Sequence, residues 1–430
     1  MPLRRLTTIE QPAGTGTVYA EPPATNPARS TPSHFRMGEI HTMTSPTMKA
    51  VQLVAPRQTV LAELPRPVAP TDGLLMKTRC VSICSTDVSF YEGHLFPSRY
   101  PIVLGHEYLG QVVEIGAGFT NPGIIIGDRI VYWGQTDYDG LAEYRTLRPV
   151  FSGESKEETF WADRHFLDDR RAAAVKVPDE LDDLQASLIE PTTGVLRSVL
   201  ANPPRIGDKV LILGTGPIGT IAGSVISKLL APSQIVSVDA NQHRNDYAVE
   251  HFSERAFLPD GLISDVPDST FDYVFDALPT VQVDDDAKDP RRVAMRKLRP
   301  GGRYVLYGAS QEMQRFDTWL MLAKGINISA SAFDVSSFPM RWTASVMVSA
   351  MRMLLTGIVD GRRLLSTVHP FEDYEGLVQI FQNYRSTTGL KTVVDFRGGT
   401  ENTSIGEVRV ADRTGFPMPP IHLAHSSRTL

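Results

Sequence analysis

Residues 209–219 read KVLILGTGPIG. An apolar run ends at Gly214, further glycines stand at 216 and 219, and a helix-like segment, PIGTIAGSVISKLL, runs on from Pro217. In such a G-x-G-x-x-G turn the first glycine makes the tight bend. The second lets the backbone approach a pyrophosphate, and the third lets helix and strand pack closely. The helix N-terminus then turns its positive dipole end toward phosphates. Gly214, Gly216, Pro217, Ile218 and Gly219 are therefore expected to hold a dinucleotide. A plain strand–turn–helix can carry the same glycines, so the context decides. Asp239 closes the next apolar run, QIVSVD, twenty-five residues after Gly214. An acid there hydrogen-bonds ribose hydroxyls and repels a 2′-phosphate, which favours NAD over NADP. Arg244, five residues on, can reach the same ribose or a phosphate. By contrast GAGFTN at 116–121 has Asn121 where the third glycine belongs and leads into Pro122, so it reads as a loop.

Working outward, residues 192–335 alternate apolar strands with helical segments: KVLILG, QIVSVDA, FDYVFDA, AMRKLRPGG and RYVLYGAS. That alternation predicts βαβ units, hence an α/β fold with a parallel sheet. Residues 48–191 differ. Short β-like runs (LLMKTRCVSIC, GQVVEIG, DRIVYW, LAEYRTL) separated by turn residues predict a mostly β domain. From 336 to 398 a long helix, the run RLLSTVHPF, a second helix and KTVVDF are expected. Residues 1–47, rich in Pro, Thr and Ser, read as a disordered leader, and 399–430 as a loose tail. Residues 151–176, dense in both signs of charge, read as a surface insertion of no legible role.

Composition narrows the partners. The net charge of −6 is spread along the chain, which argues against nucleic acid or an anionic membrane surface. No apolar run reaches the roughly 20 residues of a membrane helix. With two cysteines, Cys80 and Cys84, no disulfide framework and no four-cysteine zinc site can form, and a reducing cytoplasmic setting is expected.

A second constellation lies in the β half. His106 and Glu107 follow an apolar run in YPIVLGHEYLG, Cys84 stands in ICSTD, and Glu190 in SLIEP. Singly, each has an ordinary reading: a buried thiol, a loop histidine, a solvated acid. Glu190 precedes a proline, which disfavours helix at that position and suggests a helix end. Together, Cys, His and carboxylate form a borderline-soft set suited to Zn²⁺, and three protein ligands with one open position mark a catalytic site. Such an ion polarises an oxygen and lowers the pKa of a bound water or alcohol. Asp87 can orient His106, and the Thr86 hydroxyl can pass a proton outward. Tyr91, Phe96 and Trp133 are candidate pocket walls, though core packing explains aromatics equally well.

With ICSTD, YPIVLGHEYLG, IIIGDRIV, DGLAEY, LIEP, GTGPIG, LRPGGRYVLYG and GLKTVVDF in this order, the chain from Met48 to about Arg397 resembles the medium-chain, zinc-dependent alcohol and polyol dehydrogenases. The resemblance implies a GroES-like, mostly β catalytic domain over 48–191 and 336–398, with a Rossmann doubly wound sheet over 192–335. It implies one catalytic Zn²⁺ on Cys84 and His106, with Glu107 or Glu190 as the third protein ligand. It further implies substrate-oxygen contact by Thr86, cofactor contact extending to Gly308, a small-molecule alcohol or ketone substrate, and a homodimer or homotetramer. Two departures stand out. The span RIVYWGQTDYDGL lacks the four cysteines of the family's structural zinc, and Ser89 occupies the position of a relay histidine, His94 being close but not equivalent. A zinc-free NADPH-dependent quinone or enoyl reductase, and a non-catalytic nucleotide-binding protein, are the alternatives. Both fit poorly with an intact Cys/His/Glu set.

Overall fold

The computed structural model describes residues 46–97, 99–133, 139–153, 171–279, 281, 283–308, 313–330, 340–387 and 389–398. The expected leader up to residue 45, residues 154–170 of the charged insertion, the 335/336 boundary and the tail lie outside the described residues.

Strands β1 (Thr47–Ala55), β2 (Gln58–Pro65) and β4 (Ile102–Val103) form a small antiparallel sheet. A larger sheet is built on β3 (Leu74–Ser82), β5 (Glu107–Ile115), β6 (Arg129–Trp133), β7 (Tyr144–Val150) and β8 (Arg171–Val177). Because β3 pairs with β5 on one side and with β7 on the other, these five strands close into a barrel. Closure removes the sheet's open edges. β3 carries two neighbours on its β7 side. It pairs with β7 over Leu74–Lys77 and with β16 (Lys391–Asp395) over Cys80–Ser82, while β15 (Leu365–Pro370) lies beyond β16. The last strands thus return to the first sheet and fasten the end of β3 that leads into Cys84.

The parallel sheet has the order β11–β10–β9–β12–β13–β14, from β9 (Lys209–Leu213), β10 (Gln234–Val238), β11 (Arg255–Phe257), β12 (Phe271–Asp276), β13 (Leu298–Leu306) and β14 (Asn327–Ser329). Every pairing is parallel. This is the doubly wound order whose direction reverses between β9 and β12, where ligands bind at the carboxyl ends of the strands. Four of the five β9 residues are buried, as expected of a strand covered on both faces.

Helix α1 (Ser85–Glu92) follows β3, α2 (Ile189–Ala201) precedes β9, α3 (Pro217–Leu229) follows it, α4 (Gln242–His251) follows β10, and α5 (Met340–Leu355) packs on α2. One apolar cluster joins barrel residues such as Leu109, Val131 and Trp133 through Val195 and Val199 of α2 to Val210 and Ile212 of β9. α2 is therefore the spine between the two sheets. Its first turn corrects one sequence reading: Glu190 and Pro191 begin a helix here and do not end one. Proline is tolerated in a first turn, where its missing N–H has no carbonyl to meet. No described helix is long and apolar enough to cross a membrane.

Candidate active site

Cys84 is the residue at which β3 gives way to α1, and His106 is the last residue before β5. Asp87 joins the two loops. Its Oδ2 accepts from the Cys84 N–H at 2.9 Å, and its Oδ1 accepts from the Gly105 N–H at 2.9 Å. The same Oδ1 lies 3.3 Å from His106 Nδ1. Asp87 is fully buried; burial alone would raise its pKa, but the His106 ring and the two backbone donors hold it below the ordinary value. Burial likewise works against a charged His106, yet Asp87 and Cys84 outweigh it and carry the imidazole well above its usual pKa.

Ligand atoms of Cys84, His106 and Glu107 all lie within 4.8 Å of one another. That trio is a donor set suited to a zinc-like ion. Glu190 lies outside that trio but faces it. Burial above all lifts its pKa, to about 7, with Glu107 pushing the same way and His106 opposing. Thr86 stands beside the thiol, 3.6 Å from Cys84 Sγ to its Oγ1.

Glu107 brings in residues that the sequence reading missed. Lys391 donates to both of its carboxylate oxygens, and Ser82, its cross-strand partner in β3, donates to Oε2. Lys391 also donates to the Ile83 carbonyl at 3.3 Å, and both members of the pair are buried. Burial would lower the lysine's pKa, but the Glu107 charge drives it upward. A lysine opening the apolar run KTVVDF was the available signal, since a charge there needs a buried partner.

The second half of the site is the glycine turn. Gly214 has φ of +87°, a conformation costly for other residues, and any side chain at Gly219 would strike the Gly214 carbonyl. Gly216 caps α3, with Pro217 in its first turn followed by Ile218. Asp239 is bound into this turn: it accepts from the Thr215 N–H at 2.8 Å and the Asn241 N–H at 2.9 Å. Arg244 reaches past Gly216 to the carbonyls of Thr387 and Gly389, at 3.4 and 3.2 Å. Gly308, at the carboxyl end of β13, donates its N–H to the Asp276 carbonyl at 3.0 Å.

Of the three candidate wall residues, Tyr91 stacks on Phe381 in the barrel core, Phe96 is 60% exposed, and Trp133 is buried beneath Arg197. Ser89 accepts from Arg385 at 3.3 Å, and His94 stands 3.7 Å from Glu92.

The alcohol dehydrogenase GroES-like domain profile matches residues 70–163. The L-threonine 3-dehydrogenase of Shewanella loihica is 31% identical over 219 residues, 49% of this chain and 62% of that enzyme. The chain thus covers under two thirds of the relative's length. Among solved structures, a putative zinc-binding dehydrogenase of Sinorhizobium meliloti bound to NADP superposes with a TM-score of 0.64 at 20% identity, over 81% of this chain and 99% of that one. The 2R,3R-butanediol dehydrogenase of Bacillus subtilis gives 0.61 at 18%, over 81% and 100%. At these identities the structural likeness is one of fold. Barrel, doubly wound sheet, Cys/His/Glu trio and matched domain agree with one another, and the chain is similar in sequence and fold to the medium-chain, zinc-type alcohol and polyol dehydrogenases.

Proposed function

We propose that the protein is a zinc-dependent oxidoreductase that interconverts a secondary alcohol or polyol and its ketone with NAD(H). The observation that carries this reading is the convergence of the ligand atoms of Cys84, His106 and Glu107 within 4.8 Å of one another. Cys84, His106 and one carboxylate, with Glu107 favoured over Glu190 by proximity, would hold a zinc ion, which supplies Lewis-acid polarisation of the alcohol or carbonyl oxygen. The dinucleotide, on Gly214, Gly216, Pro217, Ile218 and Gly219 with Asp239 at its ribose, supplies the two-electron hydride acceptor; the alcohol's hydroxyl proton goes to solvent.

The chain's own residues do the positioning. Asp87 fixes the Cys84 and His106 loops relative to each other, and Lys391 balances the charge of Glu107. Thr86, next to the thiol, would relay the hydroxyl proton outward to solvent, accepting it on Oγ1 while releasing its own. Asp239 favours NAD. Arg244, beside Gly216, is the group that a 2′-phosphate would meet, and the Sinorhizobium meliloti neighbour is bound to NADP. Assembly as a homodimer or homotetramer in the cytoplasm belongs to this proposal. The test is initial rates on a panel of secondary alcohols and polyols with NAD⁺ and NADP⁺, read by absorbance of the reduced cofactor. Turnover with a preference for NAD⁺ is expected; a zinc-loaded enzyme inert on the whole panel with both cofactors would refute the reading.

A further inference from the structure

Arg291 is buried in the helix Pro290–Lys297, and each nitrogen of its guanidinium donates a hydrogen bond. Nε donates to Asp276 Oδ2 at 2.8 Å, and Nη1 to Gln314 Oε1 at 2.9 Å. Nη2 donates to the Leu278 and Pro279 carbonyls, at 3.2 and 3.1 Å. Asp276, fully buried as the last residue of β12, also accepts from the Tyr304 hydroxyl at 2.8 Å and from the Leu278 N–H at 2.9 Å. Gln314 accepts in addition from the Val281 N–H at 3.3 Å. Asp276 and Arg291 thus grip the chain just beyond β12 by both its N–H and its carbonyl groups. A buried ion pair adds little net stability over apolar residues of similar size. What this pair does fix is the backbone from Ala277 to Pro279.

That backbone lies between two turns at the carboxyl ends of the parallel strands. On one side, Ala277 donates its N–H to the carbonyl of Leu213 at 2.9 Å, one residue before the glycine turn, and the Leu278 side chain packs over Gly214. On the other side, the Leu278 carbonyl presses on Gly308, where any side chain would strike it. A doubly wound fold binds its dinucleotide across the point where strand order reverses, with one nucleotide on each half of the sheet. That point lies between β9 and β12. Asp239, which follows β10, takes the adenosine half, and the glycine turn after β9 takes the pyrophosphate. The nicotinamide half then falls on the ends of β12 and β13, against residues 277–279.

We infer that Arg291 is a positioning residue for the nicotinamide end of the cofactor, acting through Asp276 and the carbonyls of Leu278 and Pro279. The inference rests on the NAD(H) reading above. The planar guanidinium suits this task, because its rigid fork reaches a carboxylate, two carbonyls and an amide at once, whereas an ammonium is a single point of contact. Arg291 therefore acts on one half of the dinucleotide site, while the adenosine half rests on Asp239 and the glycine turn.

The test is calorimetric titration of the full chain with NADH and with ADP-ribose, the same dinucleotide without its nicotinamide. Two variants are compared with wild type. Arg291→Lys keeps a positive charge for Asp276 but has one nitrogen where the guanidinium has three. Arg291→Met combined with Asp276→Asn removes both charges, so neither is left buried alone. In each variant the affinity for NADH relative to ADP-ribose falls by about 10-fold, the weight of one hydrogen bond at the nicotinamide end. The affinity for ADP-ribose itself stays within about 2-fold of wild type, which a general loosening of the fold would not allow. An unchanged ratio in both variants, whether the two affinities hold or fall together, overturns the inference and leaves the NAD(H) reading standing. A wild type that binds neither ligand overturns both.

Discussion

Lys391 lies 284 residues from Glu107 in sequence, yet its ammonium meets both oxygens of that carboxylate. A buried ion pair gives little net stability, but removing one partner strands the other's charge, at a cost of about 3–5 kcal/mol. Lys391→Met is therefore expected to lower the unfolding free energy of the metal-free protein by about that amount, measured in urea. Adding Glu107→Gln recovers much of the loss, because no buried charge is then left alone. Zinc should stabilise Lys391→Met more than wild type, since a cation at the trio balances Glu107 in the lysine's place. A metal-free Lys391→Met as stable as wild type would mean that Glu107 is not the charge that Lys391 balances.

Among the elements, the barrel is fastened through Asp183, at the start of a short helix. It binds Arg79 of β3 at 2.7 Å, Arg129 of β6 at 2.7 Å and Arg397 beyond β16 at 3.2 Å. Burial would raise the Asp183 pKa, but Arg129 and Arg79 outweigh it and hold it below the ordinary value. A carboxyl whose folded pKa is depressed contributes stability above its unfolded pKa, about 3.9, and loses it as pH falls through the folded value. Asp183→Asn should cost about 3 kcal/mol at neutral pH. The gap from wild type should narrow as unfolding is repeated below about pH 4; a gap independent of pH would contradict the assignment. Most elements were legible in sequence, because β9 and α3 carry clean apolar patterns around their glycines. The second pairing edge of β3 was not, because β16 joins it from more than 300 residues away and strand partners leave no local pattern. Glu190 was misplaced for a related reason: the preference of a pre-proline residue is local, and the packing of α2 between the sheets overrides it.

At the scale of the molecule, the two sheets share one apolar cluster through α2, which joins the barrel that carries the trio to the parallel sheet that carries the glycine turn. Sequence spacing names the members of each half but cannot show that Cys84, His106 and Glu107 converge, since 22 residues and a strand pairing separate the thiol from the imidazole. Lys391 was hidden for the same reason, reaching Glu107 from a strand distant in the chain. The proposed function stands on this trio holding a zinc ion used in alcohol oxidation. Its most direct test is alcohol-dependent formation of reduced cofactor by Cys84→Ala, purified with zinc alongside wild type and matched to it in circular dichroism. About one zinc per chain and turnover are expected in the wild type, with both lost in the variant; undiminished turnover by Cys84→Ala would overturn the proposal.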